Sequence, residues 1–239
     1  MKYRSEAMKL YKEKTFDYIE LYAVPGTYNA SINEWKTMNI PIIIHAPHSG
    51  QNVNLAKQEK QKENIELLKD TFRFADELKA GYIIFHAGTS GTIEEAAKQL
   101  SSMADKRTLI ENKPYFAMDA KNVCTGNSPE EIQYIMKSDH IGFCLDIGHA
   151  ICSANSHKID PIEYLKLFLA LKPKMFHLTD GDYEGEIDSH EHFGNGNYPA
   201  KKLLSLLPAD CSITIEAIKD SDHGLSNFAN DIKYLRDLS

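Results

Sequence analysis

The chain alternates short, fully apolar segments with longer amphipathic ones, and this alternation constrains its fold more than any other feature. The apolar segments are hydrophobic on both faces, which is typical of buried parallel strands rather than of a sheet with one face in water. Seven segments have this character, at residues 16–23, 40–46, 82–87, 108–112, 141–146, 174–179 and 212–217. Helical periodicity separates them at residues 57–79, 92–104, 129–137, 161–171 and 228–238. Strands that alternate with helices predict a parallel sheet with right-handed crossovers.

An α/β fold of the (β/α)8 TIM-barrel type accounts for this order of elements. One barrel domain often takes about 250 residues, so 239 residues predict a single domain over residues 1–239. An eighth strand has to come first, yet a helical segment at residues 5–14 leaves only four residues ahead of it. We therefore expect the first strand to be vestigial or missing. The gap would be closed by side chains, a loop or a neighbouring chain.

Composition narrows the class of protein. A 42% hydrophobic and 26% charged content is that of a globular domain. The four cysteines show no CxxC spacing, which predicts reduced thiols. We expect a cytoplasmic protein without a membrane partner, because no segment approaches the roughly 18 apolar residues of a membrane span and the N-terminus does not resemble a signal peptide. A net charge of −7 disfavours purely electrostatic binding of nucleic acid, although it leaves room for a local basic groove.

Metal-capable side chains stand at the ends of nearly all the predicted strands. In a parallel barrel these ends share one mouth, where barrel active sites lie. The side chains in these positions are His45, His86, Glu111, Asp146, His177 and Glu216. Any one of them alone is more simply a hydrogen-bonded structural residue. Together, buried carboxylates would repel one another, and a cation is the natural compensation.

Three further candidates lie in the loops expected on the same face. His149 follows Asp146 by three residues, and Asp188 and His190 are separated by one serine. Imidazole and carboxylate groups together suit Zn, and also Mn or Fe(II). Nine such groups exceed what one ion can use, so the sequence predicts two or three ions.

The motifs around these residues resemble those of the endonuclease IV family, also called AP endonuclease family 2, within the xylose isomerase-like TIM barrel superfamily. The resemblance covers residues 16–216, and each of the family's nine metal-binding positions has a matching residue here. The segments that carry it are His45-Ala-Pro-His48, Phe85-His86-Ala-Gly88, Ile110-Glu111-Asn112, Asp146-Ile-Gly-His149, His177-Leu-Thr-Asp180, Asp188-Ser-His190-Glu-His192-Phe-Gly194-Asn-Gly196 and Ile215-Glu216.

The resemblance implies three metal positions and a hydrolytic activity. The implied ligand sets are His45 and His86 with bridging Glu111; Glu111 with Asp146, His177 and Glu216; and His149 with Asp188 and His190. Such ions neutralise a phosphate and activate water for in-line attack, which predicts a phosphoester or phosphodiester hydrolase. Glu111 and Glu216 are the candidate catalytic residues. His48 and His192 are the candidate substrate-binding residues.

Two departures from the family make repair of abasic DNA doubtful. Flipping a damaged nucleotide out of a duplex needs a bulky or basic wedge. The corresponding loop here is the small, polar sequence His48-Ser49-Gly50-Gln51. Ser189 stands where the DNA enzymes carry arginine. These residues favour a small phosphorylated substrate, with nucleic acid as an open alternative.

A sugar isomerase or epimerase of the same superfamily is the main alternative. It would need one Mn-like ion on Glu111, Asp146, His177 and Glu216, with Glu111 and Glu216 exchanging a proton on the sugar and His149 contacting the substrate. Spare ligands such as His45 and His86 favour hydrolysis, whereas the missing wedge favours a small substrate. A metal-binding protein without catalysis is a third reading, disfavoured because structural metal sites are normally closed. The sequence leaves the oligomeric state open.

Overall fold

Seven parallel strands form one sheet that curves into a nearly closed barrel. The computed structural model describes residues 2–138, 140–219 and 224–238. The barrel strands are β1 (Ile19–Tyr22), β2 (Ile42–His45), β3 (Ile83–His86), β5 (Thr108–Glu111), β7 (Gly142–Asp146), β8 (Met175–Leu178) and β9 (Ile213–Ile215), paired in that order. A short antiparallel pair, β4 (Gly88–Thr89) and β6 (Cys124–Thr125), stands outside this sheet. The seven barrel strands lie within the seven segments predicted from the sequence.

Helices separate the strands. The described residues form α1 (Arg4–Lys12), α2 (Tyr28–Met38), α3 (Gln61–Glu77), α4 (Ile93–Met103), α5 (Pro129–Ile135), α6 (Ile147–His157), α7 (Pro161–Leu169), α8 (Ala200–Leu204) and α9 (Ser226–Leu238). Helices α2, α6 and α8 were not predicted. Helix α2 buries only Ile32 and Met38, most of α6 is buried so that its apolar residues form no single stripe, and α8 has only five residues. Two helices begin with the expected caps: Ser128 accepts a hydrogen bond from the backbone of Glu131, and Asp160 accepts from Ile162 and Glu163. No described helix is both long and apolar enough to cross a membrane.

Alternate residues of five barrel strands, β2, β3, β5, β7 and β8, belong to two different cores. The larger core packs between the sheet and the helices and includes Phe85, Phe143 and Phe176. A smaller cluster fills the barrel interior and consists of Ile43, Ile84, Leu109, Cys144 and Met175. Each member of this inner floor lies two residues before a predicted ligand. Since side chains two apart share a face of a strand, the ligands stand directly above the floor, on the inside of the barrel.

The expected absence of a first strand is confirmed. Among the described residues, α1 precedes β1, and no strand lies between β9 and β1 in the sheet. Side chains link these two edge strands instead. The hydroxyl of Tyr18 lies 2.9 Å from Oγ1 of Thr214, which in turn donates to Oε2 of Glu20 at 2.8 Å. Side chains thus bridge the gap on its inner side, one of the three ways anticipated from the sequence, and a cavity of about 970 Å³ lies between the same two edge strands and helices α1 and α9.

A hairpin-like excursion covers part of the barrel mouth. This excursion comprises residues 112–125. It follows β5, turns back through an antiparallel bridge between Phe116 and Val123, and ends with β6. Two backbone hydrogen bonds hold its base, from Lys113 to Gly126 and from Cys124 to Tyr115. Met118, near its tip, is 74% exposed, so an apolar side chain overhangs the mouth.

Candidate metal centre

The structure brings all nine predicted ligands together at the carboxyl ends of the strands. They form three groups, and within each group the ligand atoms lie within 4.8 Å of one another. The groups are His45, His86 and Glu111; Glu111, Asp146, His177 and Glu216; and His149, Asp188 and His190. This grouping has the same membership as the three ligand sets that the resemblance implied.

Glu111 is shared by the first two groups. It is fully buried, and its Oε2 lies 3.3 Å from Nε2 of His45 and 3.0 Å from Nε2 of His86. The same oxygen lies 3.5 Å from Nδ1 of His177, which is 3.1 Å from Oε1 of Glu216. One carboxylate oxygen therefore faces ligand atoms of both groups, the arrangement expected of a bridging ligand.

The third group is positioned by α6 and by the loop after β8. The sequence had suggested a loop position for His149, but this residue lies in the first turn of α6. Asp146 caps that helix and accepts a hydrogen bond from the backbone N–H of His149 at 2.7 Å. Nε2 of His149 and Nε2 of His190 approach Oδ2 of Asp188 at 3.2 and 3.3 Å. His190 adopts a left-handed backbone with φ of 49°, a strained conformation of the kind found at functional sites.

Backbone carbonyls fix which nitrogen of two histidines faces the centre. Nδ1 of His45 lies 2.8 Å from the carbonyl oxygen of Ala46, and Nδ1 of His149 lies 2.9 Å from that of Asn112. A carbonyl only accepts hydrogen bonds, so Nδ1 carries the proton in both rings and Nε2 presents its lone pair to the ligand group. Asn112 also exchanges two hydrogen bonds with the backbone of Asp146, which locks β5 to β7 at the site.

Several buried polar atoms at the centre make no hydrogen bond. They are Nδ1 of His177, Oδ2 of Asp188 and Nδ1 of His190, of which the first two face other ligand atoms of their groups. Leaving a buried acceptor without a donor is costly, and facing acceptors repel one another. A divalent cation bound among them satisfies both atoms, so the residues present fit metal ions.

Burial and charge shift the pKa values of the carboxyl groups in opposite directions. Burial raises the pKa of Asp146 to about 6, and the charge of Asp188 adds to that effect. Burial also acts to raise the pKa of Glu111, but His86 and Lys113 outweigh it and hold that pKa well below its usual range. His177 lowers the pKa of Glu216 in the same way. At neutral pH, Glu111 and Glu216 are therefore ionised and available as anionic ligands.

Two charged residues at the centre were missed by the sequence analysis. Glu20 on β1 lies 3.1 Å from Nε2 of His177 and forms a further close group with His45 and Glu216. Lys113 follows Glu111 by two residues, and its Nζ lies 3.1 Å from Nε2 of His149. A usable signal existed for Glu20, because a charged residue inside an apolar strand needs a buried partner. No comparable signal marks Lys113.

The two candidate substrate-binding histidines occupy different surroundings. His48 lines the mouth, where its ring stacks on that of His86 at a centroid distance of 4.7 Å. Burial, with the charges of His45 and Lys113, lowers the pKa of His48 to about 4. His192 pairs with Asp231 of α9 through Nδ1, at 2.5 Å, and packs on Phe228. It is not among the described residues that line the mouth, so its role in substrate binding stays a prediction.

A cavity of about 450 Å³ lies above the ligands. The ligand groups form its floor, and Phe116, Met118 and Ile218 contribute apolar wall from the surrounding loops. Lys113 is the one lysine or arginine among the described lining residues. The mouth thus combines the charged ligand groups at its base, apolar residues in its wall and the ammonium group of Lys113.

The pattern of residues along the whole chain identifies its family. The model described as "Xylose isomerase-like TIM barrel" matches residues 9–238. The chain belongs to the xylose isomerase-like TIM barrel family. The fold class expected from the sequence is confirmed by this match and by the seven parallel strands.

Relatives in this family carry different activities in their names. The "Probable endonuclease 4" of Aquifex aeolicus is 27% identical over 206 residues, which cover 76% of this chain and 70% of that protein. The "Fructoselysine 3-epimerase" of Escherichia coli O157:H7 is 23% identical over 183 residues, 71% of this chain and 64% of that protein. The structure of endonuclease IV from Thermus thermophilus superposes with a TM-score of 0.75 at 19% identity, over 99% of this chain and 94% of its own. The resemblance to endonuclease IV is confirmed, and the family also includes a sugar epimerase.

Proposed function

We propose that this protein is a metal-dependent hydrolase of small phosphoesters or phosphodiesters, with zinc as the favoured ion. The observation that carries the proposal is the convergence of three ligand groups that share Glu111 or adjoin it. A single-ion sugar isomerase needs only four of these residues. Multi-metal sites are characteristic of phosphoester hydrolysis, because ions in such a site, when bound, neutralise the phosphate and activate water.

Glu111 and Glu216 are assigned different roles because their side chains differ in exposure. Glu111 is fully buried and serves as the shared ligand that fixes the spacing of the first two positions. The Glu216 side chain is 21% exposed and lines the cavity, so it is placed to orient the attacking water as well as to bind an ion. His48, neutral at physiological pH, is placed on the rim to donate a hydrogen bond to a phosphate oxygen.

A small substrate suits the mouth better than a DNA duplex. A cavity of about 450 Å³ is of the size that holds a small molecule. Duplex binding draws on several lysine and arginine contacts to phosphates, whereas Lys113 is the one such residue among the described lining residues. Phe116 and Met118 of the apolar overhang line the same cavity and make its wall apolar, which suits a small substrate with an apolar part.

An activity assay with a matched ligand variant tests the proposal. The zinc-loaded protein is offered p-nitrophenyl phosphate, bis(p-nitrophenyl) phosphate and an abasic duplex oligonucleotide. We expect turnover of a small ester, little incision of the duplex, and loss of activity in Glu111→Gln. Glu94→Gln, the same change at an exposed position in the first turn of α4, serves as the control. Efficient nicking of the duplex that is lost in Glu111→Gln would reverse the substrate assignment but keep the metal-dependent hydrolysis.

A sugar epimerase is the second candidate. The four-residue group of Glu111, Asp146, His177 and Glu216 supports it, because two of its carboxylates are positioned for proton exchange around one ion. Epimerisation of ketoses by the manganese-loaded protein, with no turnover of phosphoesters, would favour this reading over hydrolysis.

A further inference from the structure

Lys113 places a permanent positive charge beside one of the three ligand groups. Its side chain is 15% exposed, and its Nζ lies 3.1 Å from Nε2 of His149 and 3.5 Å from Oε1 of Glu111. An ammonium group only donates hydrogen bonds. Nζ also lies 3.4 Å from Nδ1 of His149, so the ammonium group stands over the face of the imidazole ring, whose Nε2 faces Asp188.

The third ligand group therefore already has a positive charge beside it. An ion held by His149, Asp188 and His190 would bond Nε2 of His149 at about 2 Å. It would then lie next to the ammonium group, and like charges at that separation in a partly buried site repel strongly.

The other two groups meet this charge through their shared ligand, Glu111. The oxygen of Glu111 that faces His45, His86 and His177 is Oε2, whereas Lys113 approaches Oε1 at 3.5 Å. Lys113 thus weakens the third position more than the other two, and it neutralises part of the same negative charge that an ion there would neutralise.

The total charge of the carboxylates at the centre also favours two tightly bound ions over three. The carboxylates in the candidate ion groups of the described residues are Glu20, Glu111, Asp146, Asp188 and Glu216. Two divalent ions and one ammonium group match the charge of these five carboxylates. A third ion would leave the centre with excess positive charge.

We propose that Lys113 acts as a built-in cation that replaces the third ion, so that the protein binds two ions tightly and a third only weakly. This inference rests on the metal-binding part of the proposed function and is independent of the reaction catalysed. It distinguishes this chain's centre from one with three equivalent ions.

Zinc binding to the chelator-stripped protein tests the proposal. Equilibrium dialysis and competition with a chromophoric chelator give the number of equivalents and their affinities. For the wild type we expect two tight equivalents and a third that is weaker by at least about tenfold. In Lys113→Met the third equivalent should tighten by about tenfold or more, and a further His149→Ala substitution should remove it.

Two control variants isolate the effect of the charge at that place. Lys113→Arg keeps the charge and should bind zinc as the wild type does. Lys174→Met removes one charge from an exposed position just before β8, at the opposite end of the barrel, and should also match the wild type.

Three equally tight equivalents in the wild type would overturn the proposal without any variant, so a poorly folded Lys113→Met does not prevent a decision. Unchanged zinc affinities in a folded Lys113→Met would overturn it as well. Neither result bears on which reaction is catalysed. Two tight equivalents without phosphoesterase activity would instead refute the proposed function and leave the role of Lys113 intact.

Discussion

Oε2 of Glu20 lies 3.1 Å from Nε2 of His177, on the side of the ring opposite Nδ1. The other nitrogen, Nδ1, faces Glu216 at 3.1 Å. A carboxylate behind a ligand histidine fixes its proton on the far nitrogen and makes the near nitrogen a better ligand. Glu20 is therefore a positioning residue for His177, and it reaches that place because β1 and β8 both border the inside of the incomplete barrel.

Replacing Glu20 should weaken metal binding, although Glu20 is not one of the nine predicted ligands. We expect Glu20→Gln to lower the affinity of the ion held by His177 by about 10- to 100-fold, the usual effect of losing such a carboxylate. Competition with a chelator measures this. Asp17→Asn removes an exposed carboxylate just before β1 and is the matched control. Equal zinc affinities in Glu20→Gln and the wild type would show that His177 is oriented without Glu20.

The link across the barrel gap should contribute to stability. Tyr18→Phe removes the hydroxyl that lies 2.9 Å from Thr214, and we expect the free energy of unfolding to fall by about 1 kcal/mol, the typical net value of one hydrogen bond. Urea denaturation measures this. Tyr82→Phe is the control, because that ring packs against the same inner floor. If both variants lose the same stability, the contact across the gap has no special part in closing the barrel.

Asp180 should organise the loop that carries Asp188 and His190. Its two carboxylate oxygens accept hydrogen bonds from four backbone N–H groups, those of Gly181, Gly194, Gly196 and Tyr198. In Asp180→Asn an NH2 group, which only donates hydrogen bonds, replaces one carboxylate oxygen and faces backbone N–H groups. We therefore expect the free energy of unfolding to fall by about 2 kcal/mol.

The same substitution should disturb zinc binding at the third ligand group more than at the other two. Asp182→Asn, the same change at an exposed position two residues away, should have little effect on either measurement. Similar losses in both variants would mean that the loop is held chiefly by other contacts.

His48 should make the metal-free protein less stable as the pH falls. Its pKa is lowered from 6.5 to about 4 in the folded protein, so between these values the unfolded chain binds a proton that the folded protein does not. The stability that depends on neutral His48 is complete above pH 6.5 and is lost as the pH falls towards about 4, by at most about 3 kcal/mol.

His48→Gln tests this assignment, because glutamine does not titrate. The difference in unfolding free energy between the wild type and the variant should shrink as the pH is lowered from about 7 to about 4. Parallel stability curves over this range would contradict a buried, neutral His48.

The strands and the candidate ligands could be predicted from the order of residues alone. Apolar segments of strand length separated by helical periodicity allow few folds other than a parallel barrel. Parallel strands end at one mouth, so the histidines and carboxylates at their ends had to converge. Helices α2 and α6 were missed although they are as long as α4, since α2 buries few residues and α6 is buried along most of its length, so neither shows a clear amphipathic stripe.

The surroundings of the ligands could not be predicted, because they depend on contacts between distant parts of the chain. Glu20 and His177 are 157 residues apart, and their contact depends on how the two edges of the incomplete barrel face each other. The approach of Lys113 to His149 depends on the path of the excursion after β5, and the cavity volume depends on how that excursion folds back over the mouth. Strand periodicity fixes which side chains point inward, whereas their distances across the barrel are set by the curvature of the sheet and the packing of its loops.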